Sequence, residues 1–193
     1  MSKVTKFSRR HTLYLVLTAL LTALTAVATV VIQIPVGKGY INFGDGVIFI
    51  TACMLGAPSG FIAGGLGSML ADLFTGFAIY APFTFFVKGL EGLVCGLIFH
   101  NFMQKLKPVW RRLIGMTLGG VCALIGYFLT DLILFGVELA VLNLIFMPVQ
   151  VGVSMLIAFF VSPHIPDLFV GAKAENEVTE IKANEVSTGE END

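Results

Sequence analysis

The sequence is short of charge, cysteine and histidine, and each shortage excludes a class of protein. Only 13% of its 193 residues are charged, whereas about 25% is usual in a soluble domain. The twelve basic residues are scattered, which excludes a nucleic-acid-binding protein built on a basic surface. Three cysteines, an odd number set in apolar runs, exclude a disulfide scaffold. The three histidines and three cysteines are too dispersed to predict a metal site.

Motifs for ATP use and for hydrolysis are missing as well. The phosphate-binding motif G-x-x-x-x-G-K-[ST] is absent, since the glycine-rich stretch at 64–68 has no lysine and lies in an apolar segment. H-E-x-x-H and G-x-S-x-G do not occur either. The two matching halves of an inverted-repeat transporter are not found. We therefore expect no catalysis, no cofactor and no ATP hydrolysis by this chain.

Long apolar runs make up most of the chain. The apolar fraction is 56% and the mean hydropathy is +0.87, both typical of an integral membrane protein. A spanning helix needs roughly 20 apolar residues, so residues 1–171 are predicted to form an all-α bundle of six transmembrane helices. The predicted spans are about 11–33, 45–56, 59–75, 82–102, 110–137 and 141–161. Residues 172–193 hold seven acids and two lysines and are expected to form a disordered cytoplasmic tail.

Basic residues that flank the spans predict the orientation in the cell membrane. They form one cluster before the first span and another between the fourth and fifth spans: Lys3, Lys6, Arg9 and Arg10, then Lys105, Lys107, Arg111 and Arg112. The positive-inside rule places both clusters, and with them both termini, in the cytoplasm. The alternative is a signal peptide cleaved near Ala28. The apolar run continues past that point, which favours an uncleaved span.

The ionisable residues within the predicted spans are unevenly distributed. Asp72, Lys88, Glu91, Asp131 and Glu138 all fall in the outer half of the bundle or near its middle, with Asp131 and Glu138 on one face of the fifth helix. A charge in hydrocarbon costs at least about 2.5 kcal/mol, so these groups are expected to face a cavity or each other. The distribution predicts a polar cavity that opens to the outside and is closed below.

Two interpretations of the charged residues remain open on the sequence alone. Lys88 and Glu91 lie three residues apart on one helix face, and Asp72 lies at a comparable depth. These groups could form a structural ion pair between the third and fourth helices or contribute to a ligand site. Asp45 is expected to cap the second helix rather than to bind a ligand.

Residues near the outer ends of the spans have a similar ambiguity. Tyr80 and Phe83 could stack on a flat ligand or belong to the aromatic belt at the membrane surface. Gln150 could bind a ligand or link two helices through its amide. Glu138 and Asn143 could reach the cavity from the last two spans.

Small or slim side chains form a stripe along the first span: Thr18, Ala19, Thr22, Ala23 and Ala26. Small residues at four-residue spacing let helix backbones approach closely. The stripe is expected either to pack within the bundle or to dock another membrane protein.

Several short motifs, taken as a set, resemble those of a known family. They are Ile41-Asn42-Phe43-Gly44-Asp45-Gly46, Leu55-Gly56-Ala57-Pro58-Ser59-Gly60, Ala71-Asp72-Leu73, Tyr80-Ala81-Pro82-Phe83-Thr84 and Lys88-Gly89-Leu90-Glu91-Gly92. The set is similar to that of the substrate-binding S components of energy-coupling factor (ECF) vitamin transporters, in particular the riboflavin and hydroxymethylpyrimidine/pyridoxine group. The six-helix layout extends the resemblance to nearly all of the chain before the tail.

The resemblance implies a subunit that captures a vitamin from outside. It would then deliver the vitamin together with a membrane coupling subunit, termed T, and two cytoplasmic ATPases. It also implies that Ala19 and Ala23 contact the coupling subunit. By the same resemblance, the loop of residues 34–43, with Lys38, Tyr40 and Asn42, closes over the ligand.

The favoured hypothesis is binding of pyridoxine or hydroxymethylpyrimidine for ATP-driven uptake. Riboflavin is the alternative within the class, and pantothenate is a further one that would need a cation such as Lys88 for its carboxylate. Two other functions stay open: a stand-alone proton-coupled permease with Asp72, Glu91 or Asp131 as a relay, and a structural subunit of a membrane complex. The candidate ligand contacts are Lys38, Tyr40, Asn42, Tyr80, Phe83, Lys88, Glu91, Glu138, Asn143 and Gln150.

Overall fold

The computed structural model describes residues 2–36 and 39–165, which form six α-helices and one small β-hairpin. The helices are α1 (Ser2–Val31), α2 (Gly44–Leu55), α3 (Ala57–Thr75), α4 (Ala81–His100), α5 (Pro108–Phe135) and α6 (Val137–Val161). The predicted all-α six-helix architecture is confirmed. The hairpin, in which β1 (Ile34–Val36) pairs antiparallel with β2 (Gly39–Ile41), was not predicted. The acidic tail lies outside the described residues.

Helix length separates the six helices into two groups. Within the described ranges, four segments are long and apolar enough to cross a membrane: His11–Val31, Ala81–His100, Pro108–Phe135 and Val137–His164. α2 has only 12 residues, about 18 Å at 1.5 Å per residue, against roughly 30 Å of hydrocarbon. It is therefore too short to cross a bilayer alone. α3, with 19 residues, is not one of the four, and its crossing of the membrane stays a prediction.

A glycine with a left-handed backbone separates α5 from α6. Gly136 has φ 91°, so the chain turns there instead of extending the fifth helix. This conformation strains any residue with a Cβ. Glu138 consequently lies in the first turn of α6. The prediction that Asp131 and Glu138 share one face of the fifth helix is wrong.

Glycines of α3 allow its backbone to approach α4 closely. A Cβ on Gly64 would collide with the Lys88 carbonyl group, and one on Gly60 would collide with the Gly92 carbonyl group. Helix α1 packs on the same helix through a hydrogen bond of 2.7 Å between the hydroxyls of Thr18 and Ser59. Since small residues line both contacts, α3 lies between α1 and α4 and the Lys88 backbone lies directly against it.

The apolar core occupies the end of the bundle away from the hairpin. Buried side chains of four helices meet there: Phe49, Ala52, Cys53, Cys95, Phe99, Met116, Val151 and Ala158. The buried carboxylates and their donors lie at the other end, beneath the hairpin. This separation leaves one polar pocket above an apolar floor.

Candidate ligand-binding pocket

The pocket lies between the hairpin and helices α3 to α6. Six of the ten predicted ligand contacts line it: Tyr40, Asn42, Tyr80, Lys88, Asn143 and Gln150. Further lining residues, which were not predicted as ligand contacts, include Asp72, Phe77, Thr84, Tyr127, Asp131 and Phe146. Most of the predicted contacts therefore meet at one end of the bundle, and the structure adds mainly aromatic residues and two carboxylates.

Lys88 is held at the base of the pocket by two buried carboxylates. Its Nζ lies 2.5 Å from Asp45 Oδ1 and 2.8 Å from Glu91 Oε2. The lysine is 2% exposed, and both acids are fully buried. The predicted pair with Glu91 is thus present, but the interhelical partner is Asp45 rather than Asp72. Asp45 makes no side-chain capping bond at the start of α2, so the prediction of a helix cap is wrong.

Gln150 connects this charged group to the hairpin. Its Nε2 donates to Asp45 Oδ2 at 2.8 Å, and its Oε1 accepts from the Asn42 backbone N–H at 3.1 Å. The Asn42 side chain in turn accepts from the Gly44 N–H at 2.9 Å, which fixes the start of α2. One amide thus links α6, α2 and the residue that follows β2.

Tyr40 ties the hairpin to α3. Its hydroxyl donates to Asp72 Oδ1 at 2.7 Å, and its ring lies 4.8 Å from that of Phe77. Burial, reinforced by the adjacent Asp72 carboxylate, raises the pKa of the Tyr40 hydroxyl above its ordinary value of 10.0. The phenol therefore remains a hydrogen-bond donor throughout the neutral pH range.

A second carboxylate, Asp131 of α5, is satisfied from two directions. Tyr80 donates to its Oδ1 at 2.8 Å and Asn143 donates to its Oδ2 at 2.9 Å. Tyr80 lies at the start of α4 and Asn143 lies in α6, so the Asp131 carboxylate joins α4, α5 and α6. The sequence placed Asp131 among the groups that face a cavity and named it as a possible proton relay; its contacts in the structure are those of an anchored hydrogen-bond acceptor.

The aromatic residues of the pocket only partly match the prediction. Tyr80 lines it, with its ring 6.4 Å from Phe77 and 5.6 Å from Phe135. Phe83 is half-buried and is not among the lining residues. Because Tyr80, Thr84 and Lys88 recur every four residues, they share one face at the start of α4. Phe83 falls beside that face, and this spacing could have separated it from Tyr80.

Tyr127 is a pocket residue that the sequence reasoning missed. It lies on α5 four residues before Asp131, a spacing that brings both side chains to one face. Its hydroxyl donates to Thr84 at 3.2 Å, and Lys88 Nζ lies 5.4 Å from its ring centre. A cation at this distance is attracted to the ring face, so Tyr127 helps to hold Lys88 in place.

Two other predicted contacts are not among the lining residues of the pocket. Glu91 binds Lys88 but is not among the lining residues. Glu138 is exposed in the first turn of α6 and does not line the pocket. Lys38 lies outside the described residues. Within 2–36 and 39–165, no group of three or more His, Cys, Asp or Glu residues is arranged to hold a metal ion.

Helix α1 presents the predicted small stripe on two different surfaces. Of the stripe residues, Thr18 is buried, Thr22 and Ala26 are half-buried, and Ala19 and Ala23 are exposed on the outside of the bundle. Neither of the two interpretations therefore describes the whole stripe. Thr18 packs on α3 through its hydrogen bond with Ser59, and the two alanines lie on the exposed side of α1.

Comparison with known proteins identifies the family. A family model described as "ECF-type riboflavin transporter, S component" matches residues 10–165, which is most of the chain. The chain belongs to this family. As an S component, it is a substrate-binding subunit of a vitamin transporter that works with a membrane-embedded ECF module, and it is not an enzyme. The resemblance seen in the motifs is thereby confirmed.

A relative from Pyrococcus woesei is similar to this S component. That protein, described as "Uncharacterized protein in gap 3'region", is 39% identical over 105 residues. The aligned stretch covers 54% of this chain and 68% of the relative. The description of this relative names no ligand, so the match does not indicate which vitamin is bound.

Proposed function

We propose that this S component captures a flat heteroaromatic vitamin in the pocket beneath the hairpin, with pyridoxine or hydroxymethylpyrimidine as its substrate. The observation that carries the proposal is the combination of tyrosine and phenylalanine rings with a few fixed polar groups. Tyr40, Phe77 and Tyr80 lie ring to ring across the mouth, and Gln150 and Asn143 lie behind them. Ligand sites are typically apolar and aromatic with a few placed hydrogen-bonding groups.

Riboflavin is the second candidate, and the description of the matching family favours it. Its isoalloxazine ring would use the same aromatic walls, and its ribityl hydroxyls would use the same acceptors. Riboflavin and the smaller candidates therefore need the same aromatic walls and hydrogen-bond acceptors and differ mainly in size. Both should be included in the first binding tests.

The pocket is proposed to face the outside of the cell. The basic residues between α4 and α5 lie at the opposite end of those helices from Tyr80 and Asp131. Since basic loops favour the cytoplasm, this arrangement supports an outward-facing pocket, cytoplasmic termini and capture from outside. The apolar floor supports a closed inner side.

Delivery is proposed to require one coupling subunit and two ATPases. Ala19 and Ala23 of α1 are exposed, so they can meet the coupling subunit without disturbing the α1–α3 contact. Exposed Leu15, Val16 and Leu20 flank them. A small apolar surface of this kind lets a second membrane helix approach closely.

An uptake assay tests this function. Cells that express the chain with an ECF coupling subunit and its ATPases should accumulate labelled pyridoxine, hydroxymethylpyrimidine or riboflavin. Cells with ATPases that lack the phosphate-binding lysine should not. Uptake that survives this ATPase defect but collapses with an uncoupler would overturn the proposal in favour of the proton-coupled permease.

A further inference from the structure

One carboxylate oxygen in the pocket has no donor among the described residues. Asp72 is 5% exposed, and its Oδ1 accepts from Tyr40 at 2.7 Å. Its Oδ2 is buried and has no hydrogen-bond partner within residues 2–36 and 39–165. The Thr84 hydroxyl, which accepts from Tyr127, lies beside the same carboxylate and keeps its own O–H, but it makes no hydrogen bond to Oδ2. A buried acceptor without a donor is destabilising, so a donor brought by a ligand is favoured at this oxygen.

The second pocket carboxylate offers no such position. Asp131 accepts from Tyr80 at its Oδ1 and from Asn143 at its Oδ2, so each oxygen already has a donor. Asp72 and Asp131 both line the pocket. The difference between them singles out Asp72 as the acceptor that a ligand can satisfy.

The charge balance of the pocket is unfavourable to anions. Among the described residues, two buried carboxylates that line the pocket (Asp72 and Asp131) and two at its base (Asp45 and Glu91) stand against one buried ammonium group, that of Lys88. In the described part of the chain, Lys88 is the one lysine or arginine that lines the pocket. Two carboxylates already bind its Nζ, at 2.5 Å and 2.8 Å. An anionic ligand would therefore add like charge without gaining a free cation from the described residues.

We infer that the pocket selects a neutral ligand that donates a hydrogen bond to Asp72 Oδ2 and rejects phosphorylated or carboxylated molecules. The inference rests on the proposed function and adds the chemical class of ligand. Hydroxyl groups and ring N–H groups are suitable donors. Pantothenate is disfavoured, because the cation that it would need is already paired.

Matched pairs of ligands test this selectivity. The purified chain in detergent is titrated calorimetrically with riboflavin and flavin mononucleotide, and with pyridoxine and pyridoxine 5′-phosphate. The neutral member of the pair that binds should bind at least about a hundredfold more tightly than its phosphate ester. Equal affinity within a pair would overturn the inference and leave the proposed function intact. If no member of either pair binds, and hydroxymethylpyrimidine does not bind either, the proposed function and the inference both fail.

A substitution tests the role of Asp72 itself. Asp72→Asn removes the charge and keeps the size, so it should weaken the neutral ligand by about tenfold or more. It should also reduce the difference in affinity between the neutral ligand and its phosphate ester. Glu138→Gln is the matched control, because it removes a carboxylate that lies outside the pocket. The inference would be contradicted if both variants lost the same affinity, or if Asp72→Asn left the affinity difference between the neutral ligand and its phosphate ester unchanged. If Asp72→Asn does not fold, the ligand pairs measured on the wild-type chain still decide the question.

Discussion

Replacing Lys88 tests most sharply how the charged base of the pocket is held together. Lys88→Met keeps most of the length of the side chain and removes its charge, which leaves Asp45 and Glu91 buried without a cation. Their contacts with Nζ, at 2.5 Å and 2.8 Å, would both be lost. Breaking a buried ion pair by removing one partner typically costs about 3–5 kcal/mol. At 2–4 °C per kcal/mol this corresponds to a fall of roughly 6–20 °C in the unfolding midpoint.

The structure also provides the matched control for this experiment. Lys88→Met combined with Asp45→Asn and Glu91→Gln removes all three charges, so no uncompensated charge stays buried. Replacing a whole buried ionic group is often neutral or stabilising. We therefore expect the triple variant to regain most of the lost midpoint, as measured by thermal unfolding in detergent. A single variant as stable as wild type, or a triple variant no more stable than the single one, would refute the reasoning.

Three further predictions concern other parts of the chain. Glu91→Gln should lower the unfolding midpoint and leave ligand affinity within about twofold of wild type, because Glu91 contacts Lys88 and does not line the pocket. A large loss of ligand affinity, measured by calorimetry, would show that Glu91 is a ligand contact after all. Gln150→Leu should lower the free energy of unfolding by about 1–3 kcal/mol, because it leaves Asp45 Oδ2 and the Asn42 backbone N–H without their hydrogen-bond partners. An unchanged unfolding midpoint would contradict this prediction. Bulky residues at Ala19 or Ala23 should abolish transport and co-purification of the coupling subunit while ligand affinity stays unchanged. Leu24→Trp, at an exposed position on a neighbouring face, should abolish neither transport nor co-purification. A loss of ligand affinity in the alanine variants would place the alanines inside the bundle.

Much of the fold is readable from the sequence because membrane helices are set by long apolar runs. The helix order and the polar end of the bundle follow from these runs and from where charge interrupts them. The sequence placed the break between α5 and α6 at about 137–141, a few residues late, because Gly136 lies among apolar residues and its backbone conformation ends the helix. The hairpin was missed because strands of three residues have no detectable periodicity.

The site shows the same division between local and distant contacts. Lys88 and Glu91 are three residues apart, so their pairing is visible from helix geometry alone. Asp45 is 43 residues from Lys88 in sequence, and Gln150 is 105 residues from Asp45. Such partners depend on how the helices pack. The sequence chose Asp72 by depth, but Asp72 binds Tyr40 of the hairpin instead.

The central claim, that this S component binds a vitamin in the pocket beneath the hairpin, is tested most directly by its bound molecule. The chain is purified gently in detergent, and the small molecules that it releases on denaturation are measured by mass spectrometry. A B vitamin or its precursor should appear at one equivalent per chain, rebind on titration, and lose affinity in Asp72→Asn. A chain that releases no such compound and binds neither pyridoxine, hydroxymethylpyrimidine nor riboflavin would contradict the claim.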